Sequence, residues 1–401
     1  MEQPFAARVG DLSHAMQHFL SFFRGTYARY TSTPGINNFA VGNPQELPLP
    51  GLVDALHRAT DPGDKDWFAY KLSEPASQAT VASALRAELG MPFEGDDIAL
   101  TTGAFGALAT ATRLLIDPGD EVILNLPPWF FYEALVVAAG GVPVKVPVDR
   151  RTFDLDLAAI ESAITPRTRA IFVNTPNNPT GKIYPPATLE ALATLLEQAS
   201  LRNGRRIYLI SDEPYRKIDF TGQPFPTPLA FYPHSLMSYS YGKILLAPGE
   251  RIGYLALPPT MPDRERMRQA IMVTQVAGGF LFPNAILQHA LPELETLSID
   301  LQMLRRKRDR MVSALKEIGY EVHEPEGTFY LLPKSPWEDD VAFVDLLAEH
   351  GVLCLPGTVT EFPGFFRISL TASEEMIESS LPGFAAAFDH AKARPLATTV
   401  T

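Results

Sequence analysis

Arg169-Ala170-Ile171-Phe172-Val173-Asn174-Thr175-Pro176-Asn177-Asn178-Pro179-Thr180-Gly181 opens the stretch from which the fold of this chain follows. Its apolar first half reads as a buried strand, and the Pro/Asn/Gly cluster behind it reads as a loop. The spacing then predicts a helix over 187–201. Ile207-Tyr208-Leu209-Ile210-Ser211 is a second buried strand, ending at Asp212-Glu213-Pro214-Tyr215. Strands that alternate with helices in this way imply an α/β fold, with a mostly parallel sheet covered by helices.

The rhythm continues outward. Upstream, the strand 97–101 runs into Thr102-Gly103-Ala104-Phe105-Gly106, a small-residue turn that opens a helix. Such a turn offers free backbone N–H groups and the positive end of a helix dipole, a ready cradle for phosphate. The strand 121–126 is followed by Pro127-Pro128-Trp129, then a helix at 132–139, a strand at 142–147 and a helix at 157–164. Ligands of such sheets lie beyond the carboxyl ends of the strands. Gly103, Trp129, Asn178, Asp212 and Lys243 all fall there.

Downstream stands Ser238-Tyr239-Ser240-Tyr241-Gly242-Lys243, with Arg251-Ile252-Gly253-Tyr254 close behind. A lysine between buried strands is costly to keep charged. That cost is useful if it must attack a carbonyl as a neutral amine. The planar fork of Arg251 suits a phosphate. An amine nucleophile beside a phosphate clamp suggests pyridoxal 5'-phosphate, which carries an aldehyde and a phosphate on one ring.

The chain has 401 residues, 46% of them hydrophobic, ample for a large core and for more than one domain. Its net charge of −12 opposes binding to nucleic acid or an anionic membrane. The one cysteine, Cys354, lies in an apolar run and reads as structural, and no metal site is expected. The first ten residues lack the basic start and apolar run of a signal peptide, so a cytoplasmic location is expected.

Apolar spacing from Asp11 to Tyr30 predicts an amphipathic helix, with His14 and His18 as ordinary helix-face residues. After Leu257 the texture changes. A basic helix over 301–318 is expected to present a solvated face or to pair its charges within the chain. Short strands are expected at 320–323, 328–332, 352–355 and 366–370, around a helix at 341–350, as a smaller α+β domain. The expected organisation is an N-terminal segment, 1–45, packing on the small domain or a partner, then a large domain, 46–290. A small domain, 291–390, and a disordered tail, 391–401, follow.

Taken in order, Asn177-Asn178-Pro179-Thr180-Gly181, Ser211-Asp212-Glu213-Pro214-Tyr215, Ser240…Lys243…Arg251-Ile252-Gly253-Tyr254 and Phe366-Arg367-Ile368-Ser369 resemble the class I/II aminotransferases, fold-type I pyridoxal-phosphate enzymes. The resemblance runs from about Gly42 to Arg367. It implies that Lys243 holds the cofactor as an internal aldimine and then moves the substrate proton. Asp212 would face the pyridine nitrogen, and Asn178 and Tyr215 the ring's phenolic oxygen. Arg251, Ser240 and the turn Gly103-Ala104-Phe105 would hold the phosphate. Trp129 would lie on the ring face. Arg367, helped by Gly42, Asn178 and Trp129, would bind the substrate's α-carboxylate. Tyr70 would reach the phosphate of the other subunit's cofactor, implying a homodimer with shared sites.

Three positions depart from the family pattern: Gly242 stands where a hydroxyl residue often precedes the lysine, Ile244 follows it in place of a small hydroxyl residue, and Pro75 stands where a glycine usually precedes the helix after Tyr70. The activity so implied is ping-pong transfer of an amino group between an L-amino acid and a 2-oxo acid. Elimination, cyclisation or oxidase chemistry at the same site is the alternative, because one fold hosts many reactions. A DNA-binding regulator is disfavoured by the acidic charge. For the substrate side chain, a dicarboxylate needs a second cation, with Arg24, Arg29 or a partner's arginine as candidates. Phe22, Phe23 and Tyr27 instead suggest an apolar or aromatic pocket.

Overall fold

The protein is described here by a computed structural model covering residues 4–393. Its strands in chain order are β1 (Asn37–Asn38), β2 (Ile98–Thr101), β3 (Glu121–Leu126), β4 (Val142–Pro147), β5 (Thr168–Asn174), β6 (Tyr208–Asp212), β7 (Ser235–Ser240), β8 (Gly253–Ala256), β9 (Tyr330–Leu331), β10 (Val352–Leu353), β11 (Leu355–Pro356) and β12 (Phe366–Ser369). Strands β2 to β8 form one sheet in the order β2-β8-β7-β6-β5-β3-β4. Only β8 runs against its neighbours; the pairs β3·β4, β3·β5, β5·β6 and β6·β7 are parallel. The carboxyl ends of six strands and the amino end of β8 therefore share one edge, which is how Arg251 comes to stand near Lys243.

The sheet is apolar on both faces, as its continuous hydrophobic runs require. Successive residues of a strand point to opposite sides. Ile171 and Val173 pack with Leu209, Leu189 and Leu196 on one face. Ala170 and Phe172 pack with Ile210, Leu124 and Leu108 on the other. Each large apolar side chain so buried contributes roughly 1.5–3 kcal/mol. The helix covering the first face, Pro186–Asn203, starts with proline in its first turn and stops at left-handed Gly204 (φ 62°). On the second face lies helix Gly103–Leu115, whose small residues let it sit buried against the sheet.

The smaller layer holds the three-stranded sheet β11-β12-β9 and the pair β1·β10. Four expectations change. Residues 320–323 form no strand, and the ladder expected over 328–332 shrinks to β9. Tyr320 is instead a core ring against Phe388 and Phe366, its hydroxyl donating to the Phe384 carbonyl (2.9 Å). The N-terminal helix is broken into Ala7–Ala15, Gln17–Phe22 and a π-helical turn Phe23–Tyr27, where Gly25 leaves helical geometry. The last helix, Glu374–Ala393, runs three residues into the segment expected as a tail; 394–401 lie outside the described residues.

The segment ahead of the large sheet bridges both layers. β1 pairs with β10, and Thr26 bonds Asp345 (2.5 Å), while Phe19 packs on Phe130 and Phe131. The basic helix Leu301–Ile318 pairs part of its charge within the chain, Lys307 with Glu46 (2.9 Å) and Arg310 with Glu378 (2.6 Å), and leaves Arg306 exposed. Among the described residues no helix is long and apolar enough to cross a membrane.

Candidate active site

A cleft of roughly 490 Å³ opens at the shared edge of the sheet, lined by Ala104, Phe105, Trp129, Asn178, Asp212, Tyr215, Ser240, Lys243 and Arg251 among others. Nine residues expected from sequence thus meet at one place, from segments that span residues 104 to 251. The strands deliver them: Asp212 ends β6, Ser240 ends β7, and Asn178 follows β5.

Asp212 is buried at the floor. Tyr132 donates its hydroxyl to one carboxylate oxygen, Oδ2, and the other, Oδ1, is buried without a hydrogen-bond partner. Burial pushes the carboxyl up to about 6, although the Tyr132 and Ser238 hydroxyls and the nearby Lys243 charge pull it down. An acceptor aimed into a cleft with nothing to accept from is the mark of a ligand site. Tyr132 was not expected from sequence, and neither was Asn174. The Asn174 amide donates to the Asp212 carbonyl (2.8 Å), and its Oδ1 accepts from the Asn178 N–H (2.7 Å). It ties the two loops together.

Lys243 sits in a four-residue helical turn after β7 and is partly buried. Its ammonium lies 5.5 Å from the centre of the Tyr215 ring and 5.9 Å from that of Phe329. Gly242 before it has a packing reason: a Cβ there would stand 3.1 Å from both the Ala247 carbonyl oxygen and the Pro248 Cα.

Arg367 reaches the same region from β12. Its Nη1 donates to Asn178 Oδ1 (3.0 Å), its Nη2 donates to the Ala40 carbonyl (2.9 Å), and its buried Nε has no partner. Its guanidinium lies 4.2 Å over the Tyr330 ring. Gly42 belongs to this group through Tyr330, whose hydroxyl would be 2.5 Å from a Cβ at that position. Burial works to raise the Tyr330 phenol, but Arg367, Lys243 and a hydrogen bond with Tyr215 outweigh it and hold it below its ordinary value. Tyr330 is a third residue that sequence reasoning missed.

At the other end, Gly103 opens its helix with φ +75°, and a Cβ on it would meet Arg251 Nη2 at 2.7 Å. Arg251 donates to the carbonyls of Pro248 (2.9 Å) and Thr102 (3.3 Å). Guanidinium, helix N-terminus and the Ser240 hydroxyl thus border one end of the cleft, an arrangement suited to an anion. Phe105 contributes a ring, set edge-on to Trp129 at 5.1 Å.

Tyr70 is not in the cleft. It is 86% exposed and packs on Phe282 (4.9 Å). Arg24 and Arg29 are exposed and absent from the lining. His14 and His18 line a separate small cavity with Lys145, Glu133 and Glu361. Among the described residues no group of three or more His, Cys, Asp or Glu is placed to hold a metal.

The family model described as "Aminotransferase class I and II" matches residues 34–381. The aspartate/prephenate aminotransferase of Thermus thermophilus is 33% identical over 347 residues, 83% of this chain and 86% of that protein. The probable aspartate/prephenate aminotransferase of Thermus aquaticus is 32% identical over 347 residues, 84% of this chain and 87% of that protein. A crystal structure of an amino transferase from Eubacterium rectale superposes with a TM-score of 0.90 at 30% identity, covering 97% of this chain and 99% of that one.

Proposed function

Because this chain belongs to the class I and II aminotransferases, we propose that the cleft beyond β5, β6 and β7 is its active site, with Lys243 as the catalytic amine. The protein is a pyridoxal-phosphate-dependent aminotransferase, moving an amino group between an amino acid and a 2-oxo acid. The residues present suit the cofactor. Asp212 Oδ1 is a buried acceptor without a partner, and Gly103 leaves room that a side chain would fill beside Arg251.

Bound pyridoxal phosphate supplies an aldehyde carbon that carries the amino group and a ring that spreads the negative charge left at the amino acid's Cα. Asp212 would hold a proton on the ring nitrogen through an ion pair, its carboxylate oriented by Tyr132. Asn178 and Tyr215 would hydrogen-bond the ring oxygen, and Trp129 would cover one ring face. Arg251, Ser240 and the N–H groups of the turn at Gly103 would hold the phosphate. Arg367 binds the substrate α-carboxylate, and its unpartnered Nε is the group free to do so. That anchor places the Cα hydrogen near Lys243, whose Nζ takes the proton and returns it. Two amino-acid/oxo-acid pairs use the site in turn, a ping-pong sequence.

The observation that carries this reading is the unpartnered oxygen of Asp212 in a cleft that also holds Lys243 and Arg251. The test is the half-reaction. Cofactor-loaded enzyme mixed with an amino acid should lose its absorbance and release one equivalent of 2-oxo acid. Sustained ammonia release instead would mean elimination or oxidation.

For the substrate side chain, only Lys243 and Arg251 are cations among the lining residues. Phe105, Trp129 and Phe131 form a run of touching rings that continues through Phe19 to Phe23 and Tyr27. This supports an apolar or aromatic side chain; a panel of 2-oxo acids against fixed donors tests it. Exposed Phe68, Tyr70, Met272, Val273, Val276 and Phe282 support a homodimer in which Tyr70 reaches the partner's phosphate. Sedimentation of Tyr70→Ala against the wild type, with cofactor affinity measured in parallel, separates the two roles.

A further inference from the structure

Behind the site lies a second buried cluster that none of the roles above uses. The turn after β6 sends Asp212 and Tyr215 into the cleft, while Glu213 and Arg216 are fully buried and absent from its lining. Glu213 Oε1 accepts from the hydroxyls of Ser211 (2.7 Å) and Thr227 (2.8 Å), and its N–H donates to the Ser238 carbonyl on β7 (2.9 Å). Arg216 pairs with Glu88 of helix Pro75–Leu89 (3.0 Å) and lies 4.9 Å over the ring of Tyr239, four residues before Lys243. Glu213 Oε2, Arg216 Nε and Nη1, and the Tyr239 hydroxyl are buried without hydrogen-bond partners. Buried charges this poorly satisfied are costly, and the chain keeps them beside Asp212 and Tyr215, in the turn that carries both.

We infer that Glu213 and Arg216 are positioning residues. Their buried, oppositely charged side chains tie the turn carrying Asp212 and Tyr215 to Tyr239 on β7, and so set the distance from that turn to Lys243. The inference rests on the active-site assignment above. Arg216 acts on three sides: Glu88 fixes it from the neighbouring helix, Glu213 attracts it from its own turn, and Tyr239 takes its face. Tyr254 also faces it, and Glu295 and Lys217 form a further pair beside Tyr239. Burial pushes the Glu213 carboxyl up to about 7, with Arg216 and the two hydroxyls opposing. A proton on Glu213 therefore weakens the tie in the near-neutral range. A misplacement of about 1 Å can cost on the order of 100-fold in rate.

The test uses cofactor-loaded enzyme. Arg216→Lys keeps the charge but loses the fork. It should lower kcat by about tenfold or more, leave KM for the amino donor within about twofold, and shift the pH midpoint of the cofactor's absorbance. The double variant Glu213→Gln/Arg216→Met removes both buried charges of the turn and leaves without its partner only Glu88, which is partly exposed and reached by water. It should recover the melting temperature of the unloaded protein while kcat stays low, because stability needs only the absence of an unpaired charge. Wild-type kcat and midpoint in Arg216→Lys, or recovery of kcat together with stability in the double variant, would overturn the inference. Should Arg216→Lys fail to fold, Glu88→Gln, a partly exposed residue, should show the same changes more weakly. An unchanged kcat and midpoint there would equally overturn it. The active-site assignment fails separately, if Lys243→Ala keeps turnover.

Discussion

The two halves of the cleft are built differently. The half assigned to the cofactor comes from strand ends and loops at one edge of one sheet: Asp212 ends β6, Ser240 ends β7, Lys243 follows it, and Arg251 precedes β8. Neighbouring strands in register fix their spacing, and the side chains inherit it. The half assigned to the substrate carboxylate is assembled across layers. Arg367 comes from β12 of the small sheet and is held by Asn178, 189 residues away, and by the Ala40 carbonyl, 327 residues away. The first half is a property of the sheet; the second exists only when the small layer and the N-terminal segment are packed against it. Damage to the first should remove chemistry, and damage to the second should remove binding and orientation.

The largest expected effect is in the first half. Lys243→Ala removes the one lysine among the cleft-lining residues, and kcat should fall by about 10³-fold or more. Asp212→Asn keeps the shape but not the charge, and kcat should fall about 10²–10³-fold with KM for the amino donor changed far less. In the second half, Arg367→Lys replaces a planar fork by a point charge. It should raise KM for both amino acid and 2-oxo acid by about 10–100-fold while absorbance of the loaded enzyme stays intact. If all three variants lost cofactor absorbance alike, the contrast between the halves would be wrong.

A smaller effect concerns stability. In the unloaded protein the Asp212 carboxyl sits near 6 against an ordinary 3.8. Its folded-state value lies above the unfolded one, so its contribution is whole below about pH 4 and is lost as the pH rises through about 6. That difference corresponds to as much as ~3 kcal/mol. The melting temperature of unloaded wild type should therefore fall relative to unloaded Asp212→Asn between pH 4 and pH 8, and cofactor should abolish the difference. A constant gap between the two curves would contradict this.

The same contrast decides what could be read from the chain alone. The large sheet is legible because its strands are continuous apolar runs, as at Ile171-Phe172-Val173, and its ligand loops follow strand ends. The residues that do chemistry there are odd for their setting: a lysine, an acid and an arginine among apolar segments. Tyr132 and Asn174 escaped notice for the opposite reason. An aromatic opening a helix or an amide ending a strand is ordinary, and only the fold reveals that both meet Asp212. Tyr330 is the extreme case. Its place beside Arg367 and Gly42 comes from packing between layers and has no local signature. The expected strand at 320–323 failed likewise, because Tyr320 serves a ring cluster and not a ladder. The long N-terminal helix failed at Gly25, where the helical geometry breaks.

One measurement bears most directly on the central claim that Lys243 is the amine holding the cofactor. Cofactor-loaded enzyme is reduced with borohydride, digested and mapped by mass spectrometry, alongside Lys243→Ala. The expected result is one pyridoxyl group per chain, on Lys243, and none on the variant. A label on another lysine, or equal labelling of the variant, would contradict it.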